Sequence, residues 1–355
     1  MNYRCDNRYD NDKNCRIGIV CTMMMLVILF SGCASGGGPA TEEGGKVQIL
    51  CTSFPLYDWT RQVTEGCEDS MEVSLLMDQG TDPHNYQPTA EDILRISESD
   101  IIVYVGGESD LWMEDVLAAI PAERRERQQY LNMMEILNSF LREEEPIEGM
   151  QGNLGGHAYG EVDAREEGHT DEAEYDEHIW LSVRNASVCV QTIATAVMDT
   201  DPDQNDNQTM VENAERYLAE LESLDGQYEA MVSEASLNRV LFADRFPFLY
   251  LMKDYGLEYD AAFSGCSTET EASFETVIFL SGRLEEYDLP AVLVMENGDR
   301  RMAETIIANT ADKDQEILAL NSMQSVTAAD IRQGVTYLSV MQENLAVLRK
   351  ALDYK

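Results

Sequence analysis

Short, mostly apolar runs alternate with helix-like stretches along most of the chain. Residues 47–53, 71–76 and 101–105 have the length and composition of buried strands. The first run leads into Phe54-Pro55 and an amphipathic stretch through Val63. Between the second and third, Thr89 with Asp92 three positions on marks a helix start, since both side chains can satisfy free N–H groups of a first turn. A second block repeats the pattern, with strands expected at 239–243, 257–263, 291–295 and 316–320. It ends in a helix capped by Thr327 and Asp330 that buries Leu338, Met341, Leu345 and Leu348. Between the blocks, Met210, Ala214, Leu218, Leu221, Leu224, Tyr228 and Met231 recur at helical spacing. At 1.5 Å per residue such a helix spans about 40 Å. Strand–helix alternation favours parallel sheets covered on both faces. The expectation is an α/β protein of two lobes, each with a mostly parallel sheet flanked by helices, joined by one long rigid helix. The lobes are expected at 47–205 and 237–355 and the linking helix at 206–236.

The start of the chain adds a compartment. Arg4, Arg8, Lys13 and Arg16 precede an apolar run over 17–30 that ends in small residues, as in a secretory signal peptide. At about 14 residues the run is short for a membrane span of roughly 20. Phe30-Ser31-Gly32-Cys33 resembles a lipobox, with Phe30 where leucine is usual. That resemblance implies signal peptide and lipobox over 1–33, a lipid on Cys33, and a flexible tether over 34–46. The expected location is the extracellular face of the cell membrane, held by the lipid anchor. Among the 355 residues, 66 acidic against 25 basic give a formal charge of −41. Such a surface repels nucleic acid and attracts cations. Cys51, Cys67, Cys189 and Cys266 are widely spaced with no C-x-x-C, which excludes a finger-type zinc site. Disulfide pairing among them is not readable from spacing.

Cation chemistry then narrows to histidine. The chain has four: His84, His157, His169 and His178. His157 and His169 lie in an acidic, glycine-rich segment, 143–177, that cannot bury enough apolar surface to fold alone and is expected to be a mobile loop. His84 sits in Gly80-Thr81-Asp82-Pro83-His84-Asn85-Tyr86-Gln87-Pro88-Thr89, after an expected strand, where ligands of open α/β sheets collect. His178 sits in Asp176-Glu177-His178-Ile179-Trp180-Leu181, where the acidic segment gives way to apolar sequence.

These two stretches carry a family resemblance. Gly-x-x-Pro-His-x-Tyr-x-Pro-Thr followed by Asp92 resembles the first metal-ligand motif of the zinc and manganese solute-binding proteins of ABC importers, and Asp-x-His-Ile-Trp-Leu resembles the second. Further similarity runs through Tyr255-Gly256-Leu257, Ser264-Gly265-Cys266-Ser267, Leu320-Asn321-Ser322-Met323 and 337–345, in order over essentially the whole mature chain. The resemblance implies a metal ion held between the lobes, with His84 and His178 among its ligands, and delivery to the permease and ATPase of an importer. Zinc members usually carry a third histidine about ten residues before Tyr-Gly-Leu, and here that stretch has none. Asp244, expected just beyond its strand, is the chemically sensible substitute; a structural pairing with Arg245 is the competing role. The fourth family ligand is an acid after the strand at 291–295, which implies Glu296, with Asp299 as the alternative and Glu269 and Glu271 as further candidates.

Two imidazoles and two carboxylates make a harder site than three imidazoles, so Mn2+ stands as the alternative to Zn2+. The acidic segment with its histidines, able to collect ions loosely, favours zinc. Catalysis is not expected, because H-E-x-x-H, H-x-x-E-H, G-x-S-x-G and P-loop patterns are absent. A surface adhesin is the remaining alternative reading, and the chain is expected to act as a monomer.

Overall fold

The structure is a computed structural model that describes residues 45–144, 147–151, 175–201, 204–267 and 272–353. All lie within one compact unit, residues 39–355. Calls on Cys33, the tether up to residue 44, His157, His169, Glu269 and Glu271 fall outside the described residues. Among the described residues no helix is long and apolar enough to cross a membrane.

The architecture is two four-stranded parallel sheets built on the same plan. The first contains β1 (Val47–Cys51), β2 (Met71–Leu75), β3 (Ile101–Tyr104) and β4 (Gln129–Asn132), in the order β2-β1-β3-β4. The second contains β5 (Arg239–Phe246), β6 (Glu258–Ser264), β7 (Ala291–Met295) and β8 (Glu316–Leu320), in the order β6-β5-β7-β8. The order reverses beside β1 and again beside β5. Such switch points open a crevice at the carboxyl ends of the strands.

Helices cover both faces. On one side of the first sheet, α1 (Phe54–Val63) packs against α4 (Val183–Thr200) and α5 (Asn207–Glu234); on the other lie α2 (Ala90–Glu98) and α3 (Trp112–Ala119). The second sheet packs against α6 (Leu249–Tyr255), α7 (Phe274–Glu286), α8 (Arg300–Ala308) and α9 (Tyr337–Ala351). One continuous core runs from Val47 and Trp59 through Tyr217, Leu224 and Tyr228 to Phe242, Tyr337 and Leu348, so the two halves share buried surface. Helix α5, about 42 Å long, is the backbone of that core. It buries Met210, Ala214, Leu221, Leu224, Tyr228 and Met231, with Leu218 half-buried, and runs unbroken through Gly226.

Three expectations are corrected. β4 was not read: Gln129-Tyr130-Leu131-Asn132 is a half-buried edge strand without an apolar run. α4 was also missed. The last helix starts at Tyr337 behind a Thr336–Ser339 capping box, while Thr327 and Asp330 cap a separate turn, Ala328–Arg332. Gly334, at φ +94°, separates the two, a conformation other residues adopt only with strain.

The sheets are also cross-tied. Asp58, buried in α1, accepts from Tyr337 N at 3.0 Å and from the Tyr217 hydroxyl at 3.4 Å. Trp180 Nε1 donates to Ser322 O at 2.8 Å, and the Tyr337 hydroxyl donates to Trp180 O at 2.8 Å. Ala328 N donates to Asp78 O at 2.8 Å beside a Gln79–Thr327 bridge. These bonds join the loops that carry the site.

Candidate metal centre

Four loops converge on one point, three of them at carboxyl ends of strands. The loop after β2 forms a short turn over Pro83–Asn85, begun by Asp82, whose side chain accepts from His84 N at 3.1 Å. His178 precedes a turn over Ile179–Leu181, and its N–H donates to Asp176 Oδ1 at 2.8 Å. The loop after β6 brings Gly265 and Cys266, and the loop after β8 brings Gln324. Met323 just before Gln324 is held at φ +63°, a left-handed conformation rare outside glycine.

The two imidazoles meet edge to edge. His84 Nε2 and His178 Nε2 lie 3.3 Å apart, His178 fully buried and His84 half-buried. Both rings are turned by what lies behind them. His84 Nδ1 stands 2.8 Å from the Ser109 hydroxyl, and His178 Nδ1 stands 3.2 Å from Asp176 Oδ1. With each Nδ1–H donating to oxygen, both Nε2 lone pairs face the same spot. The Trp180 ring packs edge-on against His178 at 5.2 Å and keeps that side dry. Gln324 Nε2 lies 2.7 Å from His178 Nε2 and 3.3 Å from His84 Nε2.

Two lone pairs at that distance repel unless something positive is shared. Burial, with the nearby His178 and Arg245, pushes His84 down to about 4 despite Asp82. Burial also acts to lower His178, but the charge and hydrogen bond of Asp176, helped by Glu177, outweigh it and leave its pKa raised. Of the two imidazoles, His178 is therefore the one that takes up an extra proton as pH falls. Glu177 lies 3.9 Å from His84 Nδ1, too far for a hydrogen bond, and with His84 neutral this is no ion pair. Its carboxylate instead accepts from Ser109 N at 3.0 Å, and burial pushes it up to about 7.

The sequence-derived carboxylates are each held by local hydrogen bonds. Asp244 lies inside β5, which runs on to Phe246 through an irregularity between Phe242 and Arg245, rather than beyond a strand ending at Ala243. Its oxygens accept from Arg245 N at 2.8 Å and Met295 N at 3.1 Å, and the turn at Gly298 closes over it. The Arg245 guanidinium pairs with Asp82 at 2.7 Å, not with Asp244. Glu296 accepts from Ser322 N at 2.9 Å and from the Ser322 and Ser325 hydroxyls, both at 3.0 Å. It braces the loop that presents Gln324. Asp299 is exposed and pairs with Arg301. Among the described residues, the metal-capable group of three is His84, His178 and Cys266, with ligand atoms all within 4.8 Å of one another. Sequence reasoning passed over Cys266, Gln324, Ser109 and Asp176 as site residues. Their signal was position, since Ser109, Cys266 and Gln324 each follow the carboxyl end of a parallel strand.

Comparison with known proteins agrees with this layout. Residues 49–351 match the family model "Zinc-uptake complex component A periplasmic". The zinc-binding lipoprotein AdcA of Streptococcus pneumoniae (strain ATCC BAA-255 / R6) is 30% identical over 312 residues, 88% of this chain and 57% of AdcA. This chain thus spans just over half the length of that relative. The high-affinity zinc uptake system protein ZnuA of Bacillus subtilis (strain 168) is 25% identical over 330 residues, 93% of this chain and 95% of ZnuA. The Zn(II)-bound ZnuA-like domain of S. pneumoniae AdcA superposes with a TM-score of 0.64 at 27% identity, covering 87% of this chain and all of that domain. With the match running through both sheets and all four converging loops, the chain belongs to the zinc-uptake complex component A (ZnuA) family.

Proposed function

We propose that this protein captures a zinc ion between its two sheets and hands it to the permease and ATPase of an ABC importer, held at the outer face of the membrane by a lipid on Cys33. His84 and His178 are ligands in this reading. The observation that carries it is the 3.3 Å between the two Nε2 atoms. Two nitrogens on one tetrahedral zinc, each at about 2.0–2.1 Å, are about 3.3–3.4 Å apart. The protein therefore holds two imidazoles at the edge length of a zinc shell, with the opposite nitrogens fixed by Ser109 and Asp176. Such preorganisation lowers the cost of ordering ligands around the ion.

The same geometry argues for binding rather than catalysis. Zinc hydrolysis needs an open coordination position and a positioned base. Here a glutamine amide faces the two nitrogens, and a cysteine Sγ lies within 4.8 Å of the histidines' ligand atoms. Release to the importer would need only small movements of the loops, since the sheets share a core and are cross-tied by Asp58, Trp180 and Tyr337.

The test is calorimetry on metal-stripped mature protein. One zinc per chain is expected, with affinity falling more than about 100-fold in His84→Ala and in His178→Ala, beyond the loss typical of an outer-shell partner. Far-ultraviolet circular dichroism of each variant checks that its fold is kept. Wild-type affinity in both variants removes the site.

A further inference from the structure

Resting on the zinc-capture reading, we propose that Cys266 supplies a thiolate as the third protein ligand, making the site selective for thiophilic ions over manganese. The first support is proximity. Cys266 Sγ, His84 and His178 ligand atoms all fall within 4.8 Å of one another. For zinc bonded to sulfur at about 2.3 Å and nitrogen at about 2.0–2.1 Å, the tetrahedral N···S edge is about 3.6 Å. A small loop movement or side-chain rotation closes the difference.

The second support is the backbone that delivers the thiol. Gly265 stands so close to His178 that a Cβ there would lie 3.0 Å from His178 Cε1 and 3.0 Å from Phe246 O. A glycine lets the end of β6 press against the Cε1 and Nδ1 side of the imidazole, and Cys266 follows directly. The Ser267 N to Ser264 O bond of 3.3 Å turns the chain back at this point. Cys266 Sγ donates to Glu177 Oε1 at 3.8 Å, and the same oxygen lies 3.9 Å from His84 Nδ1, so the thiol stands beside the histidine pair.

The third support is the commitment of the competing oxygens. Asp244 is tied up by two backbone N–H groups and Glu296 by three donors of the Gln324 loop, so either must surrender those bonds to ligate. Cys51, Cys67 and Cys189 are buried thiols in the core, remote from this chemistry. On binding, the S–H bond breaks as the S–Zn bond forms, and the proton leaves to the buffer with no change of oxidation state.

Thiolate and imidazole together suit zinc and cadmium and suit manganese poorly. The mature chain is titrated with Co2+, whose thiolate complexes show a sulfur-to-cobalt charge-transfer band in the near ultraviolet. The band is expected in the wild type and in Cys67→Ala and is absent in Cys266→Ser. Zinc affinity of Cys266→Ser should drop by more than about 100-fold, above the range for an outer-shell loss, while manganese affinity changes far less. Cobalt bound through His84 and His178 with no charge-transfer band, and wild-type zinc affinity in Cys266→Ser, overturns the thiolate and leaves zinc capture standing. Failure of the wild type to bind cobalt or zinc removes both.

Discussion

Arg245 on β5 reaches across to Asp82, Nη2 to Oδ2 at 2.7 Å, and so ties the second sheet to the loop that carries His84. Asp82 is held below its usual range: burial pushes it up, but the Arg245 charge and hydrogen bond prevail. The same carboxylate accepts from His84 N, so one ion pair both spans the cleft and sets the histidine's backbone. Removing the guanidinium loosens the loop but also removes a cation that opposes metal binding. In Arg245→Ala, zinc association and dissociation should therefore both quicken several-fold, with equilibrium affinity moving less than either rate. Stopped-flow chelator competition measures this; unchanged rates would show that the pair is not a latch. Arg245→Lys should rescue only in part, because an ammonium lacks the planar fork.

The pair at residues 84 and 178 makes zinc compete with a proton. Since His178 is raised and His84 is pushed to about 4, a proton taken up by the pair sits on His178 and must leave when zinc arrives. Apparent affinity should fall about tenfold per pH unit on acidification below the His178 pKa. A flat profile between pH 8 and 5.5, read by competition with a pH-calibrated chelator, would mean that His178 carries no proton to displace.

Metal-free stability should run the other way. Burial raises Asp58 and Asp110 to about 6 and Glu177 to about 7, so the folded state holds these protons more tightly than the unfolded chain. Their ionisation costs stability as pH rises from about 4 to 7. His178, also raised, loses its stabilising proton as pH climbs through its folded pKa. His84 opposes: its depressed value means stability is lost as pH falls from about 6.5 to 4. Three acids and one base outweigh it, and relief of a −41 charge adds to them. The Tm of chelator-treated protein should therefore be higher near pH 5 than at pH 7.5, while the increment added by zinc shrinks. A metal-free Tm that rises monotonically toward pH 7.5 contradicts this.

The periodicity of the chain carried most of the architecture. Apolar runs over 47–53, 71–76 and 101–105 and their counterparts became parallel strands, and the spacing from Met210 to Met231 became α5. β4 escaped because Gln129-Tyr130-Leu131-Asn132 is only four residues long, half-buried throughout and bounded by polar side chains, so it leaves no apolar run. That His84 and His178 come together was legible because both lay in distinctive motifs. The carboxylates were harder. An acid after a strand can brace a turn as readily as bind an ion, and Asp244 and Glu296 stand against backbone N–H groups. Nothing in one dimension showed that Gly265 would bring Cys266 against His178.

Gly265→Ala tests that packing directly. The new methyl meets ring carbon and backbone oxygen at 3.0 Å each, and neither is the free end of a flexible side chain. The loop after β6 must back away from His178, so zinc affinity should fall about tenfold or more, as when an outer-shell support is lost. Because the change sits at a strand end, the Tm of metal-free protein should drop only slightly. Wild-type affinity in this variant would show that the close approach is incidental.

Asp176 is the partner that fixes His178, through its backbone N–H at 2.8 Å and its Nδ1 at 3.2 Å. Asp176→Asn keeps the shape and removes the charge, with two consequences of different sign. The lone pair at Nε2 becomes less basic, so zinc affinity at pH 8 should fall about 10- to 100-fold. Its pKa also falls, so the proton that competes with zinc is lost more easily and the pH dependence shifts to lower pH. A variant that loses affinity equally at every pH would show Asp176 acting by position alone. Weaker binding with a profile displaced toward acid shows its charge setting the basicity of the ring that meets the metal.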